Sequence, residues 1–274
     1  MAREIVISCM RMSVLMIALS ALKPVPSLAD PALDALVAAY PDHLASHDGT
    51  NLMWRDGTRM PVSDGRTGKT FEQLLDQPDL KDQFAFAYPL GPNVEPPAVN
   101  EDPGRIRFEP FFVKMYGDCK KGEVAKRLKP VAWMPMRGGG RLSVTTVNGV
   151  DARLAEVVKD LESLPADMTR YLVPSAGAYN CRAIRNTSRL SDHAFAAAVD
   201  INDRQADYWE FLKDRTGAFT WRSRVPGAIG EIFERHGFIW GAKWYHVDSM
   251  HFEYRPELIA LARQGWPKGG RAGR

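Results

Sequence analysis

The chain has 274 residues, 45% of them hydrophobic and 25% charged, with a formal net charge of +3. This is the composition of an ordinary globular protein, enough for one large domain or one domain with an appendage. So small a charge, with no Lys/Arg cluster interleaved with aromatics, excludes a nucleic-acid-binding stripe.

The N-terminus departs from this average. Arg3 and Arg11 come ahead of an apolar run, Met12 to Leu22, and Ser27-Leu28-Ala29 places small residues before Asp30. The pattern reads as a secretory signal peptide over 1–29, cleaved after Ala29. The run is shorter than the roughly 20 residues a permanent span needs; an uncleaved anchor or a buried helix is the alternative. Cleavage leaves a nearly neutral, periplasmic or secreted chain with no stable membrane span. Cys9 departs with the leader, and Cys119 and Cys181 remain as an even pair. In an oxidising compartment they are expected to form a disulfide; two separate buried thiols are the alternative.

Along the chain, residues 30–47 read as a short helix, with Leu33, Leu36, Val37 and Tyr40 at helical spacing. Residues 48–67, rich in Gly, Asp and Arg, read as turns between short strands. Thr70 starts a helix over 70–84. Residues 88–106 carry five prolines and form an extended loop. That loop either separates an N-terminal appendage from the main domain or wraps around it. FEPFFVKMYG (108–117) and SVTTVNGV (143–150) suggest strands, the second ending at the Asn148-Gly149 turn. The clearest helix is DARLAEVVKDLESLP (151–165), capped by Asp151, with Leu154, Val157, Val158 and Leu161 on one face. Further helices are expected over 206–214 and 229–238, the latter stopped by Gly237. Helices and strands alternate without a βαβ rhythm, so the fold class is α+β.

Six histidines are candidates for chemistry. His43 and His47 sit in a polar segment and are expected to be solvated. His236 falls at a helix end, where the dipole tolerates a cation, and His246 is ambiguous. His193 is followed seven residues later by Asp200. The intervening AAVDIN suits a strand on which Ala196, Ala198 and Asp200 share a face. His193 must then lie in the preceding turn and fold back. A buried carboxylate is costly unless a cation or metal pairs with it; an Asp capping a turn beside an unrelated His is the plain alternative. In WYHVDSMHFEYRPEL (244–258), a strand puts Met250, Phe252 and Tyr254 inward and His251 and Glu253 on the other side, with Asp248 in the entering turn. Two histidines, an aspartate and a spare carboxylate converging with an open position form a typical catalytic zinc arrangement. The spare carboxylate serves as general base.

Ser191-x-His193, Ala198-x-Asp200 and Asp248-x-x-His251-Phe252-Glu253 together resemble the M15 family of zinc peptidases. That family includes D-alanyl-D-alanine carboxypeptidases and dipeptidases and L-alanyl-D-glutamate endopeptidases. Ala196 stands where the family motif has glycine, a substitution tolerated if the backbone there avoids positive φ. The resemblance covers about residues 140–262. It implies a compact α+β fold of the hedgehog/DD-peptidase-like kind, a small antiparallel sheet with flanking helices, plus an N-terminal appendage. It also implies that His193, Asp200 and His251 ligate Zn2+ and that Asp248 is the catalytic base. Arg182, with Arg185 and Arg189 as alternatives, would bind a substrate carboxylate, and Ser191 would contact substrate or orient a ligand. Trp240, Trp244 and Tyr245 either wall the cleft or pack in the core.

The expected organisation is therefore a signal peptide (1–29), an N-terminal region of unknown role (30–139), a zinc peptidase domain (140–262) and a flexible basic tail (263–274). The substrate that the resemblance implies is a peptidoglycan stem peptide, cut as by a D,D-carboxypeptidase. A non-catalytic zinc-stabilised module binding cell wall or protein is the competing reading, and 30–139 as a covering pro-segment a third.

Overall fold

The computed structural model describes residues 30–267; the expected leader (1–29) and the end of the expected tail (268–274) lie outside the described residues. The first helix, α1 (Pro31–Ala39), starts at Asp30, whose carboxylate accepts the Leu33 N–H, with Pro31 in the first turn. A three-stranded antiparallel sheet follows, β1 (Leu44–His47), β2 (Asn51–Trp54) and β3 (Arg59–Pro61). α2 (Phe71–Asp76) opens with a capping box between Thr70 and Gln73. It stops ahead of Pro78, and the segment resumes as a 3-10 turn, Lys81–Phe84, so the helix expected over 70–84 is broken in two.

The strand expected over 108–117 is instead a helix, α3 (Glu109–Tyr116), with Pro110 in its first turn. Phe111, Phe112, Met115 and Tyr116 form its buried stripe, a spacing of one and four residues that a strand cannot bring to one face. A hairpin comes next, β4 (Leu128–Ala132) with β5 (Arg141–Thr145). α4 (Val150–Glu162) follows, buried through Leu154, Val157, Val158 and Leu161. Its N-cap is Gly149, at φ +69°, and Asp151 does not cap it but pairs with Lys129 at 2.6 Å. A short helix, α5 (Thr169–Leu172), leads to the region that carries the candidate residues.

That region is built on a second three-stranded antiparallel sheet, in the order β6 (Ala198–Asp200), β8 (His251–Tyr254), β7 (Phe238–Trp240). Between β6 and β7 runs α6 (Gly227–Arg235), and α7 (Pro256–Arg263) is the last element among the described residues. The helix expected over 206–214 is only a 3-10 turn, Trp209–Leu212, because the Trp209 N–H and the Tyr208 backbone bond toward residues 247 and 248 instead. Phe252, on the back of β8, stacks on Phe233 of α6 at 3.7 Å and on Trp240 at 5.6 Å between ring centroids. Trp240 is thus a core residue, not a cleft wall.

One hydrophobic cluster joins both halves of the chain. It runs from Leu33 on α1 through Phe111 and Phe112 on α3 to Phe195 and Phe252, and α1 lies against α7. Cys119 and Cys181 form a disulfide, Cα to Cα 5.7 Å, between a 3-10 turn at 119–121 and the hairpin-like segment 181–190. No helix among the described residues is long and apolar enough to cross a membrane.

Candidate metal centre

Register in the second sheet sets the site. β6 and β8 run antiparallel with Asp200 opposite His251 and Ala198 opposite Glu253. Directly opposed residues on one face touch, so Asp200 Oδ1 lies 3.0 Å from His251 Nδ1. Period-two alternation puts Glu253 on the same face as His251, and its Oε2 sits 3.1 Å from His251 Nε2. A side chain of alanine size at 198 leaves room for that carboxylate.

His193 reaches the same face by a fold-back. It lies in a 3-10 turn, Asp192–Phe195, that ends at Ala196 in the left-handed region, φ +56° and ψ +26°. This conformation turns the chain into β6 and carries His193 over Asp200, which explains the seven-residue separation. Ala196 is fully buried, so the position where the M15 motif has glycine is held at positive φ by packing, at a cost of about 1–2 kcal/mol. His193 Nε2 stands 3.1 Å from Asp200 Oδ2, and the two imidazole centroids are 5.1 Å apart.

The proton positions follow from the partners. The Ala178 carbonyl can only accept, so His193 Nδ1 carries the proton and Nε2 presents a lone pair. Nε2 and Asp200 Oδ2 would then be two acceptors in contact unless a cation or a proton lies between them. Donor atoms of His193, Asp200 and His251 all fall within 4.8 Å of one another. Two imidazole nitrogens and a carboxylate, each imidazole held from behind by a carbonyl or carboxylate, are the donor set that divalent transition ions take. The residues present fit such an ion.

Asp248 is in the turn entering β8 and lines the same cleft. Its Oδ1 is buried and has no hydrogen-bond partner. Burial pushes the Asp248 carboxyl up to about 6. Asp200 behaves oppositely: burial raises it, but His193 and His251 outweigh that and hold it well below the usual carboxylate range. Two carboxylates in one cleft, pushed apart by their surroundings, are suited to different tasks.

The cleft, about 690 Å³, opens over this group. Ser191 and Arg182 both line it and are joined by a hydrogen bond from the Ser191 N–H to the Arg182 carbonyl, 3.0 Å. The Arg182 guanidinium is exposed on the cleft edge, with one weak contact to the Ala183 carbonyl. Arg185 lies on the same segment. Arg189 is tied to Asp76 at 3.4 Å, which leaves it less available than Arg182. Trp244 lines the cleft; Tyr245 instead packs on Phe219 and His246.

The other histidines lie outside this centre. The His47 side chain is only 4% exposed and bonds Asp34 at 2.8 Å, so it is not solvated as expected. His43 is half-buried. His236 pairs with Asp160 at 3.0 Å at the end of α6, and His246 with Asp102 at 2.7 Å. Sequence reading missed Arg107, whose guanidinium bonds Glu253. No spacing signal could have found it, because the partners are 146 residues apart. Glu253 was recognisable as the residue sharing a face with His251.

Compared with known proteins, residues 185–254 match a peptidase family of the M15 type, described as D-alanyl-D-alanine carboxypeptidase. The matched segment contains His193, Asp200, Asp248 and His251, which supports the M15 resemblance and a peptidase of that family. No curated protein and no solved structure gave a significant match.

Proposed function

We propose, from the premise that residues 185–254 form an M15-type peptidase segment, that the chain is a zinc-dependent hydrolase of peptidoglycan stem peptides, of the D,D-carboxypeptidase kind. The observation that carries this reading is the meeting of His193, Asp200 and His251 donor atoms within 4.8 Å in a cleft that Asp248 also lines. His193, through Nε2, and His251, through Nδ1, would hold the ion together with the Asp200 carboxylate. When bound, the ion supplies Lewis acidity toward a peptide carbonyl and toward the attacking water.

The chain's own groups do the rest. Asp248, with an oxygen free of protein partners, takes a proton from the water as its oxygen adds to the carbonyl carbon. It returns that proton to the amine nitrogen as the C–N bond breaks. Arg182, exposed at the cleft edge, takes the substrate's carboxylate and fixes the register of the scissile bond. Ser191, beside His193, holds the backbone that carries Arg182. The Cys119–Cys181 disulfide supports an exported, oxidising location, in keeping with a cell-wall substrate.

The test is digestion of purified sacculi with zinc-loaded protein, followed by mass spectrometry of the released material. Release of free D-alanine fits the reading; release of dipeptides or larger fragments moves the cut to another stem-peptide bond. Zinc-loaded protein that binds sacculi but releases nothing is a binding module.

A further inference from the structure

The matched family segment begins at residue 185, yet the group behind His251 is completed from the other end of the chain. Arg107 directly follows the proline-rich stretch 88–106 and precedes α3. Its Nη2 donates to Glu253 Oε2, the same oxygen that faces His251 Nε2. Its Nε stands 3.5 Å from Asp192 Oδ1. The Arg107 side chain is 11% exposed and that of Glu253 not at all, so the pair is shielded from water and little screened.

The contact extends into a buried chain of charges. The other Glu253 oxygen, Oε1, takes Arg255 Nη1 at 3.3 Å, and Arg255 Nη1 also donates to the Gly104 carbonyl at 2.9 Å. Arg255 Nε bonds Glu257 Oε1, and Glu257 Oε2 accepts the Tyr40 hydroxyl at 2.7 Å. Tyr40 caps the C-terminus of α1. The line therefore runs from the N-terminal helix to a candidate metal ligand. Gly104 makes it possible: at φ +93°, a Cβ there would come within 2.2 Å of Ile239 Cδ1 on β7. Only glycine lets this loop press against the sheet and deliver Arg107 to its underside.

We infer that Arg107 is a positioning residue of the metal centre: it clamps Glu253 against His251 Nε2 and thereby aims His251 Nδ1 at the ion. The inference rests on the proposed metal-centre reading and adds a role for residues 30–139, which become a structural part of the centre and not a detachable cover. Imidazole ligands are oriented by the acceptor at their second nitrogen, and losing that acceptor typically weakens metal binding about 10–100-fold. Here the acceptor is itself held by a cation. Without Arg107, a desolvated Glu253 keeps only Arg255 and His251 and can turn away.

The experiment is a double-mutant cycle read as zinc affinity of the full chain, measured by competition with a chromophoric chelator. Glu253→Gln is expected to weaken zinc binding about 10–100-fold. Arg107→Gln should fall in the same range, and Arg107→Lys between it and wild type. Because Arg107 acts through Glu253, the double variant should be no weaker than Glu253→Gln alone. In the zinc-loaded protein, the His251 Nε2–H resonance should be slow to exchange with solvent and should speed up in both Gln variants, a change that a general loss of stability would not confine to this proton. If Arg107→Gln does not fold, Arg107→Lys with Glu253→Gln runs the same cycle. Unchanged affinity in the Arg107 variants, or costs that add in the double variant, overturns the inference while leaving the metal centre standing. Wild-type protein that takes up no zinc overturns the metal centre and this inference with it.

Discussion

Zinc uptake should displace a proton from His251, and the size of this effect follows from the side chains around the ring. In the metal-free protein, His251 lies between two carboxylates, Asp200 at 3.0 Å from Nδ1 and Glu253 at 3.1 Å from Nε2. Burial lowers the affinity of the ring for its second proton, but the hydrogen bonds to Asp200 and Glu253 outweigh burial and carry it up to about 10. At neutral pH the metal-free ring is therefore doubly protonated, and Nδ1–H occupies the place an ion would take. Binding must expel that proton, so about one proton is released per zinc. Raising the pH helps remove it, and apparent zinc affinity should climb about tenfold per pH unit, or about 1.4 kcal/mol, from mildly acidic to mildly alkaline pH. The metal-free protein should behave in the opposite sense. With a folded value above the unfolded one of about 6.5, the stabilisation from His251 is complete below that pH and is lost as pH rises through about 10. Calorimetric titration of metal-free protein with zinc, in buffers of different ionisation enthalpy, measures the proton count directly. No proton released, with affinity flat across the pH range, would refute the placement of His251 between two ionised carboxylates.

Three further outcomes follow from the geometry. Asp248→Asn should keep one zinc per chain, measured by elemental analysis, and lose about 10²–10⁴ in turnover, since it removes the proton acceptor without touching His193, Asp200 or His251. Replacing both Cys119 and Cys181 by serine opens a 62-residue loop and should cost about 4 kcal/mol in denaturant unfolding of the oxidised protein; an unchanged midpoint would show that the bond contributes nothing in solution. Gly230→Ala puts a methyl 2.1 Å from Cε3 of Trp240 and should cost about 1–3 kcal/mol through forced displacement of the ring; a melting temperature equal to wild type would show that α6 can retreat freely from β7.

The parts of the fold that were legible in the sequence are those where local pattern and packing agree. α4 and α6 carry apolar stripes at helical spacing, and both form close to where that spacing places them. The short strands at 198–200 and 251–254 could be read from alternation, and their pairing brings Asp200 and His251 face to face. In α3, Phe-Phe-Val resembles a strand core, but the Glu-Pro start and the Met115–Tyr116 pair one turn later are the stronger, helical signal. The segment 206–214 has a helical pattern but spends its backbone groups on residues 247 and 248, a tertiary choice invisible locally. His47 lies deeper than its polar segment suggests because it pairs with Asp34 of α1, and of the two places open to Trp240 the core is the one it takes, stacked on Phe252.

The candidate residues themselves were visible because His, Asp and Glu at fixed offsets carry a chemical meaning that packing residues lack. Their support was not. Arg107, Gly104 and Arg255 look like ordinary loop and strand-end residues until the chain folds, and the contact of Arg107 with Glu253 spans 146 positions. The left-handed turn at Ala196 is a similar case. Alanine itself does not ask for positive φ; the one pointer is the glycine that the resembled motif has at this position, and the condition of avoiding positive φ is not met, since buried Ala196 is held at φ +56° where the chain folds His193 back.

Most directly, a crystal of the full chain grown with zinc, with diffraction data collected on both sides of the zinc absorption edge, tests the central claim. One strong anomalous peak is expected within about 2.0–2.2 Å of His193 Nε2, His251 Nδ1 and an Asp200 oxygen, with Asp248 close by and not bonded to it. A peak at other residues, or no peak at these three in protein that has bound zinc, would contradict that claim.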